Sequence, residues 1–154
     1  MSTIDQVLMQ EALKLAHEAA KKDEVPIGAV ITHNNKIIAR AHNQVEMLKD
    51  PTAHAEMIAI TQATSYLCSK WLQECTIYVT IEPCSMCAGA LILARIKRLC
   101  FGARDPKTGA CGSVINLAKH DQLNHAIEVR QDIMAAECGH LLSQFFQKKR
   151  KQIQ

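Results

Sequence analysis

The chain of 154 residues lacks the long apolar runs from which membrane-spanning helices are built. No apolar run approaches the roughly 20 residues that a helix needs to cross a bilayer, which excludes a transmembrane span. Residues 1–6 contain no basic cluster followed by an apolar core, so a secretory signal peptide is not expected. Repeats, low-complexity tracts and linker-like stretches are also missing, and we therefore expect residues 1–154 to form one domain.

Hydrophobic residues make up 48% of the chain and charged residues 21%, which is close to the norm for soluble globular proteins and excludes a disordered chain. A chain of this length can bury a sizeable core and does not need disulfides for its stability. Its odd number of cysteines favours reduced thiols in a cytoplasmic protein and directs attention to metal binding. The seven cysteines are Cys68, Cys75, Cys84, Cys87, Cys100, Cys111 and Cys138.

The net charge of +3 is distributed unevenly along the chain. Residues 95–107 carry five basic side chains and one acidic side chain, and residues 148–151 are four consecutive basic residues. Each cluster therefore has a net charge of +4, so the rest of the chain carries a net charge of −5. Such clusters favour a localised site for a polyanion. A solvated helix end and a frayed basic tail at about residues 147–154 would explain them equally well.

Hydrophobic periodicity predicts an alternation of helices and strands. An apolar face at helical spacing predicts a first helix over residues 4–19, with Thr3 and Gln6 as a capping box. The order of elements indicates a mixed sheet with helices on both faces, so we predict an α/β fold: a three-layer α/β/α domain with a mixed five-stranded sheet. The further predicted elements are strands at residues 28–32, 37–42, 76–81, 98–102 and 126–130, and helices at residues 54–67, 84–94 and 133–145.

Residues 88–96, which overlap the predicted helix at residues 84–94, are apolar on every side of that helix. A helix of this kind is normally covered all round. A subunit interface would provide the second cover, and so would a central position within the monomer.

Two short motifs carry ligands that suit a metal ion. His54 and Glu56 open one predicted helix, and Cys84 and Cys87 lie three residues apart at the start of another. This spacing puts both sulfurs on one helix face, and a helix N-terminus favours the thiolate form that binds metal. With His54 they make three ligands, which leaves the fourth tetrahedral position of zinc for water, as in a catalytic site. The sequence has no second CxxC with which to complete a structural site.

Glu56 is better suited to moving protons than to binding the metal. Two residues along a helix turn its side chain by about 200° away from that of His54. A carboxylate there can take a proton from metal-bound water and pass it to a substrate nitrogen. The metal would lower the pKa of that water from ~15.7 towards ~7. Together these groups predict a hydrolytic site.

Each motif alone is a weak signal. A lone CxxC is also typical of a redox pair or of one half of a structural site, and HxE occurs often by chance. Neither alternative explains why His54 and Glu56 accompany the cysteines. The joint pattern is therefore much more specific than its parts.

The combination of HAE and PCxxC resembles the zinc-dependent cytidine deaminase-like superfamily. Within that superfamily, the chain is similar to the bacterial tRNA-specific adenosine deaminases over about residues 24–146. Cys111 departs from the pattern, because the family usually has a small residue there. The similar segments are residues 24–30 (EVPIGAV), Asn43, residues 51–56 (PTAHAE), residues 82–90 (EPCSMCAGA) and residues 101–109 (FGARDPKTG).

The resemblance implies a hydrolase that converts adenosine to inosine at the wobble position of a tRNA anticodon, with one Zn²⁺ per subunit. It implies that His54, Cys84 and Cys87 hold the zinc. It assigns the catalytic proton transfers to Glu56. It also implies a cytoplasmic homodimer that binds the tRNA anticodon stem-loop. The substrate-binding residues that it implies are Asn43, Asp105, Lys107 and Phe146.

Two other functions stay open on the sequence alone. A deaminase of free nucleobases or nucleotides, such as guanine or cytosine deaminase, would use the same motifs but would leave the basic clusters without a purpose. A zinc-stapled RNA-binding module without catalysis would need the metal ligands but not Glu56. Activity on free nucleobases compared with an anticodon stem-loop separates the first alternative, and substitution of Glu56 separates the second.

Overall fold

Helices and strands alternate along residues 2–153, the part of the chain that the computed structural model describes. The order matches the predicted one except for one additional helix, at Val45–Leu48. This helix is too short to show a hydrophobic periodicity. No helix in these residues is long and apolar enough to cross a membrane. The elements are α1 (Thr3–Lys21), β1 (Gly28–His33), β2 (Lys36–His42), α2 (Val45–Leu48), α3 (Ala55–Leu67), β3 (Cys75–Ile81), α4 (Ser85–Leu93), β4 (Arg98–Ala103), β5 (Glu128–Arg130) and α5 (Ala135–Ile153).

The five strands form one sheet in the order β2-β1-β3-β4-β5. Strand β1 pairs antiparallel with β2 and β3, whereas β3, β4 and β5 run parallel. Alternate strand residues point to opposite faces, so Ile31 and Ile77 pack in one cluster with α3 and α4 while Val30 and Tyr78 pack in another with α1 and α5. The prediction of three layers around a mixed five-stranded sheet is confirmed.

One edge of this sheet collects the chain segments that carry the predicted site. Strands β2, β3 and β4 end at this edge, and β1 begins there, because β1 is antiparallel to both of its neighbours. The segments that connect to these strand ends are therefore neighbours in space although they are far apart in sequence. They comprise residues 22–27, 43–54, 82–84 and 104–113. Clefts at the carboxyl ends of strands are common ligand sites in α/β sheets.

Two local predictions at the chain ends need correction. Thr3 is already the first residue of α1, and the cap is Ser2, whose Oγ accepts a hydrogen bond from the backbone N–H of Asp5 at 3.4 Å. The predicted basic tail at residues 147–154 is helical as far as Ile153, which ends α5, and residue 154 lies outside the described residues. Two further turns of α5 thus carry the basic residues on a rigid element.

The basic cluster at residues 95–107 does not form one surface. Arg98 begins β4 and Lys107 lies beyond its end, so the six-residue strand separates them by roughly 20 Å. Arg98 is also paired with Asp5 of α1 at 2.7 Å, on the face opposite α3 and α4. Only the C-terminal half of this segment therefore lies beside the clustered motifs.

Candidate active site

His54 and the two motif cysteines meet at the N-terminal ends of two helices. His54 is the extended residue that precedes α3, and Cys84 is the extended residue that precedes α4. The Nδ1 atom of His54 lies 3.7 Å from Cys84 Sγ and 3.5 Å from Cys87 Sγ. One ligand atom from each residue lies within 4.8 Å of the other two. The predicted convergence of these three side chains is present in the fold.

Hydrogen bonding inside this cluster shifts the pKa values of the two thiols in opposite directions. Hydrogen bonds from Cys87 and His54 lower the pKa of Cys84 to about 4. The hydrogen bond to Cys84, together with burial, raises the pKa of Cys87 above its usual value. The hydrogen bond with Cys84 likewise raises the pKa of His54. A cation bound by these three side chains would compete with their protons.

The donor set fits zinc. One imidazole nitrogen and two sulfurs are the ligand types that zinc prefers, and both sulfurs lie where a helix N-terminus favours negative charge. Three protein ligands leave a tetrahedral position for a reacting group. Among residues 2–153, His54, Cys84 and Cys87 form the one such group of His, Cys, Asp or Glu side chains.

Glu56 lies beside the cluster without joining it. Its side chain is 2% exposed, and its Oε1 atom is buried without a hydrogen-bond partner among the described residues. Burial raises the pKa of Glu56 to about 7. An unpaired buried carboxylate oxygen is costly unless a ligand completes it. Glu56 is not a member of the group formed by His54, Cys84 and Cys87.

Asn43 follows β2 and connects this strand to α3. Its Oδ1 accepts a hydrogen bond from the backbone N–H of Ala55 at 2.8 Å, and its own N–H donates to the carbonyl of Ile27 at 3.1 Å. The bond to Ala55 fixes the orientation of the amide, so the Nδ2 group is the part left to donate. Asn43 and His54 line the same cleft.

This cleft has a volume of about 1060 Å³ and is bordered by the loop before β1, by α2 and by α5. A second groove of about 610 Å³ lies between the loop after β4 and α5. Asp105, Lys107 and Arg150 line the second groove, and Phe146 lines both. The predicted substrate residues are therefore divided between two clefts, with the 43% exposed side chain of Phe146 at their shared border.

Comparison with known proteins identifies the family to which this chain belongs. A family model described as MafB19-like deaminase matches residues 4–150. The tRNA-specific adenosine deaminase of Bacillus subtilis is 48% identical over 97% of this chain and 92% of its own length. This chain belongs to the tRNA-specific adenosine deaminase family.

Solved structures of deaminases agree with this family assignment. One, from a study of A-to-I editing by tRNA:A34 deaminases at the wobble position of transfer RNA, superposes with a TM-score of 0.85 and 41% identity. It covers 88% of this chain and 99% of its own. A guanine deaminase of Bacillus subtilis matches with a TM-score of 0.62 and 38% identity over 68% of this chain and 66% of its own. The resemblance to adenosine deaminases is confirmed.

Two buried carboxylates that the sequence analysis did not select hold segments near these clefts, and Glu24 lines the larger one. Glu24 precedes β1 and accepts hydrogen bonds from the N–H groups of Glu46 and Met47, at 2.9 and 2.8 Å. Glu82 follows β3 and accepts hydrogen bonds from the loop after β4. In the sequence, such residues could have been recognised as acidic residues directly beside an apolar strand or a Pro, as Glu82 is beside Pro83.

Asp105 uses its carboxylate within its own turn. Oδ1 accepts hydrogen bonds from the N–H groups of Lys107 and Thr108, at 3.0 and 3.1 Å, and Oδ2 accepts one from the Thr108 hydroxyl at 2.7 Å. Burial alone would raise the pKa of Asp105, but these hydrogen bonds outweigh burial and hold the pKa below its usual value. The Asp105 side chain thus fixes the turn that presents Lys107.

Proposed function

We propose that this chain hydrolyses adenosine to inosine at the wobble position of a tRNA anticodon. The observation that carries the proposal is the convergence of His54, Cys84 and Cys87 beside the unpaired, buried oxygen of Glu56. That combination suits the hydrolytic removal of an amino group from a base. Membership of the tRNA-specific adenosine deaminase family supports this base and this RNA.

The metal in this proposal is one Zn²⁺ per chain, held by His54, Cys84 and Cys87. Zinc bound there would lower the pKa of a bound water and so supply hydroxide at neutral pH. The imidazole and sulfur donors, their mutual distances and their location at two helix N-termini support the assignment. A site that binds metal only to stabilise the fold would use a fourth protein ligand, and residues 2–153 supply no His, Cys, Asp or Glu in that position.

Glu56 is the proposed general base and general acid. Its carboxylate takes a proton from the attacking water and delivers it to the nitrogen that must leave. The water oxygen forms the new bond to C6 of the adenine, the bond from C6 to the exocyclic nitrogen breaks, and ammonia departs. Burial of Glu56 supports this role, because a proton held in a dry site passes to the substrate rather than to bulk water.

The larger cleft is the proposed pocket for the flipped adenosine. The Nδ2 group of Asn43 is oriented by its bond to Ala55 and would donate to the base. Phe146 offers an exposed ring at the border of this pocket, which suits stacking with an unstacked base. Lys107 and Asp105, in the adjoining groove, would contact the neighbouring anticodon nucleotides.

A second candidate, guanine deamination, is favoured by the partial match to the guanine deaminase of Bacillus subtilis. One experiment separates the two functions. The purified chain is incubated with total bacterial tRNA or with free guanine, and inosine is read as an A-to-G change by sequencing while guanine loss is followed by absorbance. We expect inosine at the wobble adenosine and no loss of guanine. Consumption of guanine without inosine in tRNA would contradict the proposal.

The proposed assembly is a homodimer that covers the outer face of α4. The inner face of this helix packs in the core through Ala88 and Leu91, whereas Leu93 is 80% exposed and Gly89 faces open space. An apolar helix that is covered on one side only calls for a partner surface. Light scattering should give the mass of two chains, and Leu93→Glu should give the mass of one. A wild-type monomer at micromolar concentration would contradict this assembly.

We further propose that residues 1–154 act as one catalytic domain in the cytoplasm. The family match over residues 4–150 supports a single domain. All seven cysteines are free thiols, which suits a reducing compartment. The proposed substrate, a tRNA, belongs to that compartment as well.

A further inference from the structure

The segment that follows the zinc-motif strand contains a buried carboxylate that the proposed reaction does not use. Glu82 is the first residue after β3, two residues before Cys84, and is 2% exposed. No Lys, Arg or His among residues 2–153 forms an ion pair with it. A buried carboxylate without a counter-ion persists only where hydrogen-bond donors surround it.

Those donors all come from one loop. Glu82 Oε1 accepts a hydrogen bond from the N–H of Asp105 at 3.1 Å, at the start of the loop after β4. Glu82 Oε2 accepts from the N–H groups of Cys111 and Ser113, both at 3.0 Å, at its end. The Ser113 hydroxyl donates to Oε1 as well. One carboxylate therefore holds both ends of a nine-residue segment, residues 105–113, which we call the clamp loop.

The same loop lies along the zinc motif. Gly109 pairs with Cys84 as an isolated antiparallel bridge, and the N–H of Ala110 donates to the carbonyl of Pro83 at 2.9 Å. A Cβ at Gly109 would collide with the carboxyl group of Glu82, so this position has no room for a larger residue. The clamp loop is thus fastened to the segment that carries the first cysteine.

A second carboxylate continues the arrangement toward the groove. The backbone of Asp105 is held by Glu82, and the Asp105 side chain in turn holds the backbone of Lys107. Lys107 lines the groove that also contains Arg150 of α5. The position of Lys107 relative to α5 therefore depends on Glu82 through two successive hydrogen bonds.

We propose that Glu82 is a positioning residue that holds the clamp loop in the shape in which Lys107 meets the RNA. This inference rests on the proposed function, since it concerns the RNA groove of that deaminase. Glu82 touches neither substrate nor metal. It acts by keeping the loop ordered before the RNA arrives, so that binding does not have to order the loop.

The first test is Glu82→Gln, which keeps the shape of the side chain but replaces one acceptor oxygen with a donor. The KM for an anticodon stem-loop should rise at least about tenfold, the equivalent of about 1.4 kcal/mol. Turnover at saturating RNA should fall less than about threefold, since ground-state and transition-state binding are lost together. The zinc content should stay at one per chain. Loss of zinc would overturn the proposal, because Glu82 would then act on the metal helix.

The decisive test is a double-mutant cycle between Glu82 and Lys107. In the wild-type background, Lys107→Ala should weaken stem-loop binding, and in the Glu82→Gln background its effect should shrink by at least about threefold. Arg150→Ala is the matched control, since Arg150 lines the same groove from α5 and should weaken binding equally in both backgrounds. Additive effects of Glu82→Gln and Lys107→Ala would overturn the proposal.

A milder variant tests the same contact with less disturbance of the fold. Ser113→Ala removes one hydroxyl donor from Glu82 at an exposed position and should raise the KM in the same direction by a smaller factor. An unchanged KM in Ser113→Ala and in Glu82→Gln would refute the inference. Failure of the proposed function looks different, because the wild-type chain itself would then leave the stem-loop unmodified.

Discussion

The carboxylate of Asp5 accepts two hydrogen bonds from the guanidinium of Arg98, at 3.0 and 2.7 Å, across 93 residues of sequence. The hydroxyl of Tyr78 donates to the same carboxylate at 2.7 Å. The first turn of α1 is thereby joined to the start of β4 on the sheet face that α5 also covers. This bidentate pair is a structural tie, far from the clustered zinc motif.

The first prediction concerns the contribution of this pair to stability. Asp5→Ala should lower the free energy of unfolding by about 3 kcal/mol, the low end for one partner of a buried pair, because Arg98 retains some contact with solvent. Chemical denaturation followed by circular dichroism measures the loss. Glu11→Ala, which removes the exposed pair with Lys14, is the control and should change stability by less than about 1 kcal/mol. Equal effects of the two variants would contradict the prediction.

The same pair predicts a pH dependence. The hydrogen bond from Arg98 is the largest cause that holds the pKa of Asp5 below its ordinary value of 3.8. A depressed folded-state pKa gives stability that is fully present above pH 3.8 and is lost as the pH falls through the folded pKa. The stability difference between the wild type and Asp5→Asn should thus be constant near neutral pH and should shrink below about pH 4. A difference that does not shrink at all as the pH falls below 3.8 would mean that ionisation of Asp5 contributes nothing.

The location of Arg98 also illustrates what the sequence could not reveal about the site. Short-range patterns were sufficient for the five strands, for every helix except α2 and for the motif that contains Cys84 and Cys87, because spacing along one element determines which side chains share a face. The predicted strand at residues 98–102 already separates Arg98 from Lys107, but nothing local indicates which end of that strand lies beside the clefts. Charge density along the chain is therefore a poor guide to charge density in space.

Glu82 shows the same limit for polar residues. Its sequence context indicates only that a strand ends before Pro83, whereas the role proposed for it depends on donors contributed by residues more than 20 positions away. Sequence spacing does not predict which loop will return to a given carboxylate. By contrast, the proximity of His54 to Cys84 was predictable, because His and Cys are both typical metal ligands and a metal site brings its ligands together.

The second cysteine of the motif offers a test of the metal assignment. Cys87→Ala should lose zinc and deaminase activity together, because two remaining ligands bind zinc poorly and Cys87 is buried against the cluster. Metal is measured by atomic emission on the purified protein. Cys100→Ala, a buried cysteine in the opposite core, is the control and should keep one zinc per chain. Full zinc content with full activity in Cys87→Ala would refute the ligand assignment.

The role of Glu56 is tested without altering the size of its side chain. Glu56→Gln should keep zinc and stem-loop binding but lower turnover by at least ~10²-fold, since the amide transfers no proton. Single-turnover measurements on an anticodon stem-loop give the rate, and fluorescence anisotropy gives the affinity. A variant that loses zinc as well as activity would identify Glu56 as a ligand. A variant that keeps its turnover would favour an RNA-binding module without catalysis.

The last prediction compares the basic side chains that line the proposed RNA groove with those elsewhere. Lys107 and Arg150 line one groove from opposite sides, whereas Lys97 lies at the other end of β4, roughly 20 Å away. Contacts with phosphates release counterions, and for a single strand each contact contributes about −0.7 to the slope of log K against log salt. Lys107→Ala and Arg150→Ala should each flatten that slope by about 0.7.

Lys97→Ala removes the same charge and should leave the slope within error, because screening over about 8 to 10 Å isolates that end of the strand. Lys149 is expected to contribute less than Arg150, since its ammonium lies 2.5 Å from the Asp23 carboxylate and is already paired. Equal slopes for Lys107→Ala, Arg150→Ala and Lys97→Ala would mean that the RNA responds to the net charge of the protein, and the groove would then not be the binding surface. If only Lys97→Ala altered the slope, the RNA would bind at the opposite edge of the sheet, away from His54 and Glu56.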